Sequence, residues 1–164
     1  MNKMDKTRLC IGIDLGTTNT TVAISRTDLN GVVLVDDQAI YQAGSNRTRD
    51  TLPSILYVKD GKEYVGNKAL DLKKNYIQSP GKELAYLENT KLFIGAPSKK
   101  WIIEGNEYTA IDVAERILKA VKKDPTIRAS AENAYVCITV PANFNTDQRD
   151  NTEEAAKRAG FENV

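Results

Sequence analysis

The 164-residue chain contains no histidine. That absence removes every Ser-His or Cys-His nucleophile pair and every His-based metal site. Any chemistry must therefore be carried by Asp, Glu, Lys, hydroxyl or backbone groups. Neither GxxxxGK[ST] nor GxGxxG occurs, so a nucleotide site here is not a P-loop or a Rossmann fingerprint. The only cysteines, Cys10 and Cys137, each lie inside an apolar run. They read as buried, reduced core residues rather than a disulfide framework. No apolar run approaches the about 20 residues of a membrane span. The basic start, MNKMDKTRLCIGID, has a short apolar stretch broken by Gly12 and Asp14, which is not a signal peptide. An intracellular, cytoplasmic location is the expectation. Lys plus Arg total 23 against 22 Asp plus Glu, a net charge of +1. Such a balance gives no reason to expect a nucleic-acid or membrane partner.

What is present is the composition of a globular protein, 41% apolar and 27% charged, with enough length for one domain or two small lobes. Leu9 to Ile13 and Thr20 to Ser25 read as strands. Asn30-Gly31 then precedes Val32 to Val35, a strong hairpin signal because a type I′ turn needs two residues at positive φ. Three antiparallel strands are expected to open the chain. Residues 38 to 52 read as a polar loop, followed by strands at Ser54 to Val58 and Glu63 to Val65 around Asp60-Gly61. Helices are expected over Asn67 to Gln78 and Glu83 to Ile94, and a hairpin around Gly105-Asn106. Thr109 and Asp112 form a capping-box pattern ahead of Ile111, Ala114, Ile117, Leu118 and Val121 at helical spacing, with Pro125 just beyond the helix. AYVCITV, residues 134 to 140, reads as a buried strand. Asn145 caps a last helix with Gln148 at N3, and Gly160 ends it. The order predicts an α/β fold: a mixed sheet with helices packed on it. The insertion from 38 to 108 is a possible lobe of its own.

The stretch Asp14-Leu15-Gly16-Thr17-Thr18-Asn19 joins the first two strands. A plain hairpin turn explains it, with Gly16 at positive φ and Thr and Asn bonding their own backbone. An occupied turn explains it as well. Successive N–H groups from Gly16 to Asn19 form an anion-binding concavity, Gly16 lets a phosphate approach, and Asp14 places a lone carboxylate beside it, a usual way to hold hydrated magnesium.

Here the sequence resembles a known family. GIDLGTTNTTVAI looks like the first phosphate motif of the DnaK-type heat-shock chaperones, members of the actin-like ATPase superfamily. Thr139-Val140-Pro141-Ala142-Asn143-Phe144-Asn145, followed by Gln148-Arg149 and by Ala159-Gly160-Phe161, resembles a second family signature. Arg49 to Ser54, Val65 to Ala69 and Lys91-Leu92-Phe93-Ile94-Gly95 match further family stretches, all collinear and spanning nearly the whole chain. The resemblance implies the N-terminal part of a nucleotide-binding domain. Residues 1–37 and 109–164 would form a first ribonuclease-H-like lobe and residues 38–108 an inserted small α/β lobe. The second phosphate motif, the adenosine motif and a peptide-binding domain would lie further on.

The resemblance also assigns roles. Asp14 would orient magnesium through its waters. Gly16, Thr17, Thr18 and Asn19 would cradle the phosphates of ATP or ADP. Lys91 would be the catalytic group at the γ-phosphate, and Thr51 would belong to a loop covering it. Pro141 and Arg149 would form an interdomain switch. Taken as isolated residues, Lys91 and Arg149 read as solvated side chains and Pro141 as a strand terminator. The implied whole protein hydrolyses ATP to control client-peptide affinity, with a J-domain co-chaperone and a nucleotide-exchange factor as partners. Leu92, Asn143 and Thr146 depart from the family's usual Arg, Tyr and Asp. They leave room for a chaperone-like module that binds nucleotide without turnover. A sugar or small-acid kinase of the same superfamily would share the first motif but lack the Lys91 and Pro141 stretches.

Overall fold

The sheet is organised around one strand whose side chains alternate between core and surface. Ile11, Ile13 and Leu15 point into the core, while Cys10, Gly12 and Asp14 face the other way. In the computed structural model, which describes residues 8–27, 33–36, 51–76, 83–128 and 134–164, this strand is β1 (Arg8–Leu15). It pairs antiparallel with β2 (Asn19–Thr27), and β2 pairs antiparallel with β3 (Val33–Asp36). The expected three opening strands are therefore observed. The Asn30-Gly31 turn and most of the polar loop lie outside the described residues. A short β4 (Leu52–Pro53) also pairs with β2. On the other side of β1 runs β10 (Tyr135–Thr139), parallel, with Gly12 opposite Cys137 and Asp14 opposite Thr139. The strand order is β10-β1-β2-β3.

After β4 the chain passes through Ser54 into a second sheet, order β6-β5-β7, made by β5 (Ile55–Lys59), β6 (Lys62–Val65) and β7 (Tyr86–Glu88). Helix α1 (Asn67–Lys74) packs on it. Tyr76 meets Tyr57 and Tyr86 edge to face at ring separations of 6.2 and 5.8 Å. The helix expected over residues 83–94 is not formed. Tyr86–Glu88 is a strand on β5, and Thr90–Phe93 is one 3-10 turn. Asn89 between them has φ 58°, a left-handed conformation that breaks any continuous helix. Pairing and burial of Leu87 outweighed a helical composition, as tertiary context commonly does.

A two-stranded hairpin, β8 (Trp101–Ile103) and β9 (Asn106–Tyr108), leads into α2 (Ala110–Lys122). Its left-handed pair is Glu104-Gly105, φ 50° and 75°, one residue earlier than the Gly105-Asn106 turn expected. The reason is tertiary: the Glu104 carboxylate accepts from the N–H groups of Asp60 and Gly61, both at 2.8 Å. This clamps one type I′-like turn onto another.

Both helices begin as their sequences indicate. Thr109 and Asp112 make a full capping box on α2, and Asn145 and Gln148 make one on α4 (Thr146–Arg158). At the end of α4, Gly160 (φ 90°) donates to Lys157 O at 2.9 Å and Phe161 to Ala156 O at 3.1 Å, a Schellman arrangement. Pro125 opens a one-turn helix, α3 (Pro125–Arg128), because proline suits a first helical position. Ile11, Ile13, Val22, Val113, Leu118, Val121 and Ala155 join in one core between sheet and helices.

The cysteines depart from expectation. Both are free thiols, but Cys137 is exposed and Cys10 half-buried. The apolar run 134–140 alternates, so Val136 faces the core and Cys137 the uncovered face. A two-residue stagger in register keeps them from being direct partners. Replacing Thr109 by Ala should remove the α2 cap and cost about 1 kcal/mol, read as a lower urea midpoint at unchanged slope.

Candidate functional site

Asp14, the last residue but one of β1, carries an exposed carboxylate. One oxygen accepts from the Thr139 hydroxyl at 2.9 Å, across the parallel pair Asp14–Thr139. The other oxygen has no hydrogen-bond partner among the described residues. Leu15 pairs with Thr20, leaving the four residues Gly16 to Asn19 to close the turn. Gly16 N–H donates to Asp14 O at 3.0 Å. Gly16 is not at positive φ, contrary to expectation. Its requirement is space, since a Cβ there would collide with the carbonyl oxygen of Asn19. Thr18 and Asn19 are exposed and Thr17 half-buried.

The turn is braced from below. Ser54 N–H donates to Thr18 O at 2.8 Å, and the Ser54 and Thr20 hydroxyls, both buried, lie 3.0 Å apart. Ser54 is also the residue at which the chain leaves the first sheet for the second, so the turn is tied to both. Thr51 immediately precedes β4, whose Leu52 pairs with Thr20. That puts it beside the same end of β2.

Lys91 sits on the 3-10 turn and lines a small cavity together with Leu15, Gly16, Thr17 and Ser54. It is thus brought against the turn from 75 residues along the chain. Burial pushes its ammonium pKa below the ordinary 10.5, and the Asp14 carboxylate pulls it partly back. Lys91 forms no ion pair among the described residues; its Nζ lies 5.6 Å from the Phe144 ring centroid. Leu92 beside it is 69% exposed.

Pro141 follows β10 and accepts from Phe144 N–H at 3.0 Å. Arg149 is not simply solvated: its guanidinium donates to the carbonyls of Phe144 and Ala142 at 3.0 and 3.3 Å. From the first turn of α4 the Arg149 side chain therefore holds the loop that follows Pro141, and that loop touches Lys91 through Phe144. Asn143 is exposed on it, and Thr146 is exposed at the start of α4.

Thr139, Ser54, Thr20 and Phe144 were not singled out from sequence. Thr139 was within reach: pairing β1 with β10 in parallel places it opposite Asp14. The others depend on the crossing between sheets. Magnesium fits the donor set as a hydrated ion on one carboxylate. No group of three or more His, Cys, Asp or Glu side chains able to enclose a metal occurs among the described residues.

A mixed α/β chain with flanking helices, built around a strand-turn-strand that presents a carboxylate, backbone donors and a lysine, is consistent with the nucleotide-binding domains of the actin-like ATPase superfamily. Within that superfamily the chain belongs to the Hsp70 family, the DnaK-type chaperones, and corresponds to an N-terminal stretch of their nucleotide-binding domain. The family model described as Hsp70 protein matches residues 89–164. Chaperone protein DnaK of Halobacterium salinarum is 32% identical over 152 residues, covering 93% of this chain and 22% of that protein. A chaperone protein HscA homolog of Tolumonas auensis is 37% identical over 166 residues, covering 92% of this chain and 25% of the relative. The chain thus spans about a quarter or less of the length of these relatives. Family membership implies nucleotide binding in general terms.

Gly16→Ala should displace the turn and weaken ADP binding by about tenfold or more, the size expected when one strong contact set is lost, measured by calorimetric titration. A second expectation concerns pH. A lysine with a lowered pKa loses its charge earlier on the alkaline side, so affinity for ATP, which carries the phosphate assigned to Lys91, should begin to fall below pH 10.5. Lys91→Arg should remove that component, since guanidinium stays charged.

Proposed function

We propose that this chain forms one wall of a Mg-ATP site in a chaperone ATPase. The observation that carries the reading is convergence: the Lys91 ammonium, unpaired among the described residues, lies against the Gly16–Asn19 turn whose first neighbour is Asp14. The backbone donors and hydroxyls of Gly16, Thr17, Thr18 and Asn19 bind the phosphates. Lys91 balances charge on the terminal phosphate, where phosphoryl transfer concentrates it. Asp14, oriented by Thr139, holds magnesium through water, and the ion neutralises phosphate charge when bound. Thr51 covers the terminal phosphate from the β4 side. Residues 1–37 and 109–164 act as a ribonuclease-H-like lobe, with 38–108 as the inserted small lobe.

In the whole protein, ATP hydrolysis controls affinity for unfolded client peptides. Pro141 and Arg149 carry nucleotide state outward, and a J-domain co-chaperone and a nucleotide-exchange factor act on the cycle in the cytoplasm. A second reading, binding without turnover, is favoured by Leu92, exposed and uncharged beside Lys91, and by Asn143 and Thr146, close to Arg149 in the chain. The superfamily kinases are disfavoured by the Lys91 and Pro141 stretches.

The chain on its own is expected to bind ADP and turn over little ATP, because in-line transfer needs groups positioned on both sides. Robust hydrolysis by the chain alone would overturn this. In the full-length protein, Lys91→Ala should lower the hydrolysis rate by about 100-fold or more while leaving binding measurable. Binding with no hydrolysis in the wild-type full-length protein would favour the second reading.

A further inference from the structure

Thr90 opens the 3-10 turn that carries Lys91 and is only 5% exposed. Its hydroxyl makes no hydrogen bond among the described residues. Burying a hydroxyl without a partner is costly, and buried polar groups that lack a protein partner are met by ordered water. Thr90 lines the cavity under the phosphate turn with Leu15, Gly16, Thr17, Ser54 and Lys91. The cavity measures ≈ 10 Å³, about the room of a single water molecule.

A water held in such a place needs two to four polar partners, as a rough rule. The Thr90 hydroxyl supplies one. Ser54 supplies another: its hydroxyl shares one hydrogen bond with Thr20 at 3.0 Å, which leaves a further lone pair, and the proton when Thr20 donates. The Gly16–Thr17 stretch forms the roof, where backbone polar groups are near. The remaining wall, from Ile94 and α2, is apolar, so a water here would be directed towards the hydroxyls and the turn.

We propose that this cavity is a binding site for one ordered water, held by Thr90 and Ser54 beneath the Gly16–Thr17 turn. Thr90 is then a positioning residue. Through the water it links the segment carrying Lys91 to the turn, and sets the spacing between them. The water site stands on the packing alone; its effect on nucleotide rests on the phosphate-binding reading above.

The test compares the full chain with Thr90→Val, of nearly the same shape, and Thr90→Ser, which keeps the hydroxyl. A high-resolution crystal structure of the wild type should show water within hydrogen-bond distance of both Thr90 Oγ1 and Ser54 Oγ, and Thr90→Val should show none. Thr90→Val should lower the denaturation midpoint and weaken ADP by about three- to tenfold, because affinity falls when a well-ordered water is lost and its hydrogen bonds are not reproduced. Thr90→Ser should restore both. A dry cavity in the wild type overturns the water site. Thr90→Val more stable than wild type also overturns it, because the hydroxyl would then be a plain unpaired group. Water present with ADP affinity unchanged in Thr90→Val overturns the positioning role. Failure of the wild type to bind ADP would refute the functional reading, while the density at Thr90 would still decide the site.

Discussion

The turn between β1 and β2 closes only because residue 16 carries no side chain. Leu15 and Thr20 remain a ladder pair, so four residues must reverse the chain, and the Asn19 carbonyl comes to occupy the space a Cβ would need. This geometry places Asp14 at the strand end and the backbone donors of the turn together on one rim. Everything else in the site is arranged around that rim. β10 supplies Thr139 to the Asp14 carboxylate, β4 and Ser54 brace the turn from the far side, and the 3-10 turn brings in Lys91.

The bracing comes from a single crossing point. The chain runs along β2 as β4, turns at Ser54 and enters the second sheet as β5. The Ser54 backbone and hydroxyl are both used on the turn, at Thr18 and Thr20. A small displacement between the two sheets would act directly on the β1–β2 turn. At the far end of β5, Glu104 ties the β8–β9 hairpin to the second sheet by holding the amides of Asp60 and Gly61.

Much of this was legible in the sequence where the determinant is local. Thr109 with Asp112 and Asn145 with Gln148 are capping boxes in the structure as in the pattern. Reading failed where a distant contact decided. Residues 83–94 have helical composition, but β5 offered a strand edge and Asn89 took a left-handed conformation. The β8–β9 turn shifted by one residue because the Glu104 carboxylate found two amides 43 and 44 positions away. Cys137 looked buried in a continuous apolar run, yet among the described residues only the face carrying Val136 is covered.

By itself the sequence determined the strand-turn-strand, the caps that start α2 and α4, the alternation that puts Ile11 and Ile13 inward, and the stretches that carry the family likeness. These depend on neighbours a few residues apart, and short-range sterics and hydrogen bonding settle them. The tertiary structure alone decided that Ser54 braces the turn and that Lys91 reaches it with its charge partly stripped of water. It also decided that Thr90 hides its hydroxyl beneath. Each of those depends on segments far apart in the chain meeting in space, and no local pattern encodes where separate segments of a chain come to touch.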